Sequence, residues 1–182
     1  MEQERIELAA WIRSNTEGCQ CVVELGSMFF QKLACVHPDV PKKIGIEIWQ
    51  PYIERAKYHD CVQIHGDLRE FEDLVDCADM DCCMMIDVLE HFDKAAALEL
   101  VERIKQSFNK FLLFIPEGLH PQTKDVFELG ADKYQTHRST WLADEIAEEL
   151  DMSPANITFD PNQHRNKQSK GALFVVWERE KL

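Results

Sequence analysis

The sequence predicts an α/β fold, a mostly parallel sheet whose strands are joined by helical crossovers. Short apolar runs too brief for helices alternate with longer segments whose apolar residues recur three and four positions apart. Only the last two apolar runs are joined by a polar loop with no helix, which predicts an antiparallel hairpin at the C-terminal edge of the sheet. At 182 residues, with 45% hydrophobic and 29% charged content, the chain has the size and apolar content of one globular domain, residues 1–182, with no internal repeat and no linker.

Residues 1–16 are expected to form an N-terminal cover helix, helical from about Glu2 to Ser14, with Leu8, Trp11 and Ile12 on one stripe. Cys19 to Leu25 reads as a buried strand, followed by a helix through Phe30, Leu33 and Ala34 that ends before Pro38. Ile44 to Trp49 is the second strand. Pro51 opens the next helix, where its missing N–H has no partner to lose, and Cys61 to His65 is the third strand. Asp67 to Val75 is a short helix with Leu68, Phe71 and Leu74 on one face. Asp81 to Val88 reads as a fully buried strand flanked by acids, with the apolar run Cys82 to Ile86 at its centre. Lys94 to Phe108 is the longest helix, with Ala97, Val101, Ile104 and Phe108 facing the core, and Phe111 to Ile115 is a strand ended by Pro116. Residues 117–138 lapse into a polar stretch with Gly118, Pro121 and Gly130, expected to be a lid or substrate loop. Ser139 is placed to cap a helix carrying Leu142, Ile146 and Leu150, and strands at Ile157 to Phe159 and Ala172 to Trp177 complete seven.

Composition narrows the function classes. The net charge of −13 repels a phosphate backbone, and the longest basic stretch, His164 to Lys170, reads as a solvated loop, so nucleic-acid binding is not expected. No apolar run spans a bilayer and the first residues lack the order of a signal peptide, which predicts a cytoplasmic protein without a membrane partner. The seven cysteines form no pair of CxxC knuckles, so no metal site is expected. Cys19, Cys21, Cys82 and Cys83 read as reduced core residues within strands.

In a parallel α/β sheet, ligands bind where loops leave the carboxyl ends of the strands near the switch in strand order, so the residues that follow each strand are the candidates. Glu24, Leu25, Gly26 and Ser27 close the first strand, with glycine allowing a sharp turn. Glu47 closes the second, about twenty positions later, where a carboxylate can accept both hydrogen bonds of a ribose diol. Gly66, Asp67 and Leu68 follow the third strand, placed to meet an adenine edge. Asp87, Val88, Leu89, Glu90, His91 and Phe92 follow the fourth. Plainer roles compete with these. Glu47 can cap its strand or pair with a lysine, Asp67 can be a helix N-cap, and Glu90 and His91 can cap the long helix. Met84 and Met85 read as core, and His37, His59 and His164 as surface residues.

The order of these parts resembles the class I S-adenosylmethionine-dependent methyltransferases over nearly the whole chain. The most specific likeness is Asp81 to Phe92, since many small-molecule methyltransferases of that class carry a similar D-V-L/I-E-H-F/L run after the fourth strand. His120, Pro121 and Gln122, then Tyr134 and His137 to Trp141, resemble a methyltransferase-like subgroup whose substrates are not secure. The resemblance implies a Rossmann-like, doubly wound seven-stranded sheet and S-adenosylmethionine as cofactor. It implies a cofactor site at Glu24, Gly26, Ser27, Glu47, Ile48, Asp67, Leu68, Asp87 and Val88. It also implies a small-molecule or exposed protein acceptor, held by Glu90, His91, His120, Tyr134 and His137, with His91 as first and His137 as second candidate base.

One departure stands out. The family's first loop is usually a G-x-G-x-G turn, and here the three positions are Gly26, Met28 and Phe30. Either the side chains of Met28 and Phe30 narrow the cofactor pocket, or the loop takes another path with Ser27 still donating to the ligand. Two further readings stay open: a noncatalytic binding module with a degenerate loop, and a nicotinamide-dependent dehydrogenase, which a lone Gly26 serves poorly at a pyrophosphate.

Overall fold

The apolar runs become strands, and those at the centre of the sheet are buried on both faces. A computed structural model describes residues 5–76, 78, 80–164 and 169–180. Glu2 to Glu4 of the expected first helix, Cys77, and Arg165 and Lys167 of the basic stretch lie outside the described residues. The strands are β1 (Cys21–Leu25), β2 (Lys42–Glu47), β3 (Val62–His65), β4 (Cys82–Ile86), β5 (Lys110–Gly118), β6 (Ile157–Asp160) and β7 (Ser169–Glu178). They form one sheet in the order β3-β2-β1-β4-β5-β7-β6, parallel except for β7, which runs antiparallel to both β5 and β6. The chain leaves β1 toward β2 on one side and returns to β4 on the other, so the carboxyl ends of β1 and β4 are where the strand order switches.

Alternate residues of the central strands feed two cores. Val23, Leu25, Cys83, Met85, Phe111, Leu113 and Ile115 point to one face, and Val22, Cys82, Met84, Ile86, Leu112 and Phe114 to the other. The first core is covered by α3 (Phe71–Leu74), α4 (Lys94–Ser107) and α6 (Ala143–Glu149), the second by α1 (Leu8–Asn15) and a 3-10 turn at Gln31–Cys35. Along α4, Ala97, Leu100, Val101 and Ile104 are buried, and each larger side chain contributes about 1.5–3 kcal/mol by leaving water. Met84 and Met85 are core residues, as expected. Cys21, Cys82 and Cys83 are buried free thiols, while Cys19 lies before β1 and is half-buried.

Several boundaries depart from the sequence reading. The first helix begins at Leu8, and the helix expected through Phe30 to Ala34 is the 3-10 turn at Gln31–Cys35. Asp67 to Val75 divides into a 3-10 turn, Leu68–Glu70, and the single turn of α3. Pro116 does not end β5. The β4 ladder stops at the Ile86–Phe114 pair, so Pro116 lies where only β7 pairs with the strand, an edge-like position that tolerates proline. Ser139 does not cap α6. Leu142 holds the cap position, with its N–H donating to the Glu145 carboxylate at 2.9 Å, and the Ser139 hydroxyl accepts from Trp141 Nε1 at 3.0 Å. The C-terminal pair is antiparallel, but β7 is interior to the sheet and only β6 is at its edge.

The polar stretch 117–138 is not an open loop. Its first two residues belong to β5, it carries the short α5 (Asp132–Gln135), and the buried Asp125 carboxylate organises its middle. Asp125 accepts from the N–H groups of Phe127 (2.9 Å), Leu129 (2.7 Å) and Ala131 (3.2 Å) and from the Tyr52 hydroxyl at 2.6 Å. Trp49 Nε1 donates to Leu129 O at 2.9 Å. The segment is thus fastened to α2 (Gln50–Glu54) and to the residues that follow β2. Among the described residues, no helix is long and apolar enough to cross a membrane.

Candidate active site

A cavity of about 490 Å³ opens at the carboxyl ends of β1 to β4, within the range of small-ligand sites. All nine residues expected to hold a cofactor line it: Glu24, Gly26, Ser27, Glu47, Ile48, Asp67, Leu68, Asp87 and Val88. Of the expected acceptor residues, His91 and Tyr134 line it, while Glu90, His120 and His137 do not.

The first loop keeps a glycine-type path with little glycine. Gly26, Met28 and Phe30 have φ of 78°, 50° and 61°, so two L side chains occupy the left-handed region, at a cost of about 1–3 kcal/mol each. Packing holds Phe30 there. Its ring is fully buried in the second core against Gly45, where an added Cβ would come within 2.4 Å of Phe30 Cδ1. Phe30 therefore points away from the cavity, and the expectation that it narrows the pocket is corrected; Met28 and Phe29 line the wall. Gly26 is required on the opposite side, because a Cβ there would meet Val88 Cγ2 at 2.8 Å. Ser27 is not a free donor to a ligand as expected. Its hydroxyl donates to Glu24 O at 2.9 Å and its N–H to Ile46 O at 3.0 Å.

Glu47 fastens this loop. One carboxylate oxygen accepts from Met28 N at 2.7 Å and the other from Trp49 N at 2.8 Å. Each oxygen still has a second lone pair, so a diol can be met from the cavity side. Asp67 is an N-cap, accepting from Arg69 N at 3.0 Å, and it also pairs with the Arg69 guanidinium, which holds its carboxyl below the usual range. Glu24 is the most perturbed acid facing the cavity. Burial pushes its carboxyl up to about 8, and Oε2 has no hydrogen-bond partner.

From His91 on the cavity wall, four histidines run in an arc away from the cavity. Ring centroids are 4.8 Å apart for His91 and His137, 5.7 Å for His137 and His120, and 5.3 Å for His120 and His164. His164 is not the isolated surface residue expected: its Nε2 lies 2.7 Å from Asp87 Oδ1, and its ring is 5.1 Å from that of Phe114. Nothing local in the sequence marks it, because the chain that follows β6 delivers it. The polar segment supplies His137 and is hydrogen-bonded to the loop after β4, with Arg138 N and Ser139 N both donating to Glu90 O at 2.8 and 3.1 Å. Burial pushes the His91 imidazole down and, with neighbouring histidines, the His137 imidazole down to about 4, so both are neutral at pH 7. Tyr134 is brought elsewhere, against Trp49 with ring centroids 5.7 Å apart, beyond the end of β2. The cavity wall also includes Lys32, Arg69, Lys133 and Arg138, which the sequence reading did not single out.

No family model matches the sequence, and no curated protein matches it significantly. The fold, in contrast, recurs among solved structures. The small RNA methyltransferase HEN1 superposes with a TM-score of 0.65 at 16% identity, covering all of this chain but only 27% of that one. The N-terminal domain of EvdMO1 with SAH bound gives 0.65 at 13% identity, covering 96% and 82% of the two chains. A SAM-dependent methyltransferase from Archaeoglobus fulgidus gives 0.63 at 13% identity, covering 94% and 93%. The fold is that of the class I S-adenosylmethionine-dependent methyltransferases, including the antiparallel C-terminal strand pair.

Proposed function

We propose that the chain is an S-adenosylmethionine-dependent methyltransferase acting on a small or exposed polar acceptor. The observation that carries this reading is the convergence of nine residues, from the carboxyl ends of β1 to β4 and the loops that leave them, on one cavity at the switch in strand order. The residues present fit the cofactor. Gly26 opposite Val88 leaves a cradle that any larger side chain would fill, and Glu24 turns an unpartnered, buried carboxylate oxygen toward a site where a cationic ligand would be welcome. Glu24, Gly26 and Asp87 would surround the methionine part, Glu47 the ribose, and Asp67 and Leu68 the adenine. When bound, the sulfonium supplies an already activated methyl group. The protein's own task is therefore to align an acceptor, exclude water and take up a proton where the acceptor has one. His91, on the cavity wall with its imidazole pushed down by burial, is the candidate for that last step.

Calorimetric titration of the purified chain with S-adenosylmethionine and S-adenosylhomocysteine tests the reading. One-to-one binding of both is expected. Absence of heat with either, alongside a fluorescence change on adding NADH, would replace it with a dehydrogenase. Binding with no transfer to any acceptor in a broad hydroxyl and amine panel would leave a noncatalytic binding module.

A further inference from the structure

We infer that Glu90, His91 and His137 form a divalent transition-metal site at the acceptor end of the cavity, although the cysteine pattern led us to expect no metal. The ligand atoms these three residues offer all lie within 4.8 Å of one another, and His137 Nε2 is 4.0 Å from Glu90 Oε1. The two imidazoles are oriented by backbone carbonyls. His91 Nδ1 is 3.3 Å from Thr136 O and His137 Nδ1 is 2.5 Å from His120 O. A carbonyl only accepts, so both rings carry their proton on Nδ1 and present the Nε2 lone pair to the other side. That is the arrangement in which an outer partner fixes the tautomer of a metal-ligating histidine.

Glu90 is the independent observation. Its side chain is buried, and Oε2 has no hydrogen-bond partner. A packing role would have paired that oxygen, because a buried acceptor left unmatched costs on the order of 1–3 kcal/mol, and more for a charged one. A cation between Glu90 and the two Nε2 atoms removes that penalty. An ion about 2.0–2.2 Å from each ligand sets neighbouring ligand atoms roughly 3–3.5 Å apart, so side-chain rotations of about 1 Å complete the set. The backbone that carries the ligands is already fixed, by the two N–H groups on Glu90 O and by the Arg138 guanidinium on His91 O at 2.6 Å.

Two nitrogens and one carboxylate favour Mn²⁺, Fe²⁺, Co²⁺ or Zn²⁺ over Mg²⁺ or Ca²⁺, which prefer all-oxygen shells. Of the three ligands His91 alone lines the cavity, so an acceptor would approach the ion from the side of His91. Resting on the methyltransferase reading, this narrows the acceptor to a hydroxyl. With its Nε2 lone pair on the ion, His91 no longer takes up a proton; the acceptor oxygen, polarised by the ion, releases its proton to water and forms the bond to the methyl carbon, while the sulfur–carbon bond breaks and its electron pair stays on sulfur.

The test uses protein stripped with a chelator and dialysed free of it. Titration with Mn²⁺, followed by the loss of the free-ion paramagnetic resonance signal, should show one site per chain. Co²⁺ should give the visible absorption of a nitrogen- and oxygen-ligated ion in the unaltered protein. Glu90→Gln and His137→Gln should each weaken Mn²⁺ at least about 100-fold, with S-adenosylhomocysteine binding retained as the measure of folding. The proposal is overturned if neither ion binds one-to-one, or if affinity survives both substitutions, which would place the ion elsewhere. Cofactor binding without metal binding removes this site and leaves the methyltransferase reading standing. Metal binding without cofactor binding does the reverse.

Discussion

Replacing Glu24 by glutamine should stabilise the protein in alkaline solution and leave it nearly unchanged in mild acid. The carboxyl is buried, and removal from water pushes it up to about 8, with the Lys32 charge offsetting only part of the shift. In the unfolded chain the same group ionises near its ordinary 4.5. The folded state therefore holds a proton that the unfolded state has already released between those two values, and stability falls as pH rises through that window. Each unit of displacement corresponds to about 1.4 kcal/mol, so the total penalty at pH 8 is on the order of 5 kcal/mol. Glutamine has nearly the same shape and does not titrate. For a chain of this size, roughly 2–4 °C of Tm follows each kcal/mol, so Glu24→Gln should melt roughly 10 °C or more above the parent at pH 8 and within about 2 °C of it at pH 5. Calorimetric melts at half-unit pH steps measure both curves. Parallel curves, with a constant offset from pH 5 to 8, would refute the claim that Glu24 is held neutral by burial, and with it the picture of an acid waiting for a cationic ligand.

Phe30→Gly should lower stability without improving the cofactor site: losing a buried aromatic side chain costs about 3–5 kcal/mol and relief of the left-handed backbone returns about 1–2, a net loss of about 1–4 kcal/mol and a fall in Tm of roughly 2–16 °C. If it instead tightens S-adenosylhomocysteine while Tm holds, Phe30 does obstruct the pocket and the packing account fails. Glu47→Ala leaves the Met28 and Trp49 N–H groups without their acceptor, and should cost about 1–3 kcal/mol in urea unfolding and at least tenfold in S-adenosylhomocysteine affinity. A stability loss with an unchanged dissociation constant would make Glu47 a fastener of the loop and nothing more.

The strands were legible because burial on both faces turns a strand into a continuous apolar run, as in Cys82–Ile86, which no amphipathic helix imitates. Short helical segments were overread for the matching reason. Phe30, Leu33 and Val36 have helical spacing and share one core, but that pattern fixes which side is buried and not whether the turn is α or 3-10. Ser139 satisfied a local capping rule and lost to a nonlocal one. Trp141 forms a bridge to Glu117, and its carbonyl accepts from Gly118 N at 2.8 Å, which keeps the chain extended until Leu142. The positions at the ends of β1 to β4 line the cavity because topology alone puts them there. Of the four histidines in the arc, His91, His120 and His137 were candidates from the sequence, whereas His164 reaches Asp87 only once β7 has paired with both β5 and β6.

The first loop shows what a motif glycine stands for. Glycine is the usual residue at these positions because it reaches positive φ without steric cost, so its absence at positions 28 and 30 reads in sequence as a lost loop. The backbone of Met28 and Phe30 nevertheless occupies that region, and the compensation is nonlocal. Phe30 inserts its ring over Gly45 of β2, and Glu47 at the end of the same strand accepts the Met28 N–H. The glycine has in effect moved from the loop to the strand beneath it, where it makes room for the side chain that holds the turn. A second sequence that lacks glycine at position 30 of this loop should therefore be examined at the position of Gly45 before its site is judged degenerate. The same reasoning predicts that Gly45→Ala, far from any ligand in sequence terms, forces the Phe30 ring out of its place and disturbs the cavity as much as a substitution in its wall.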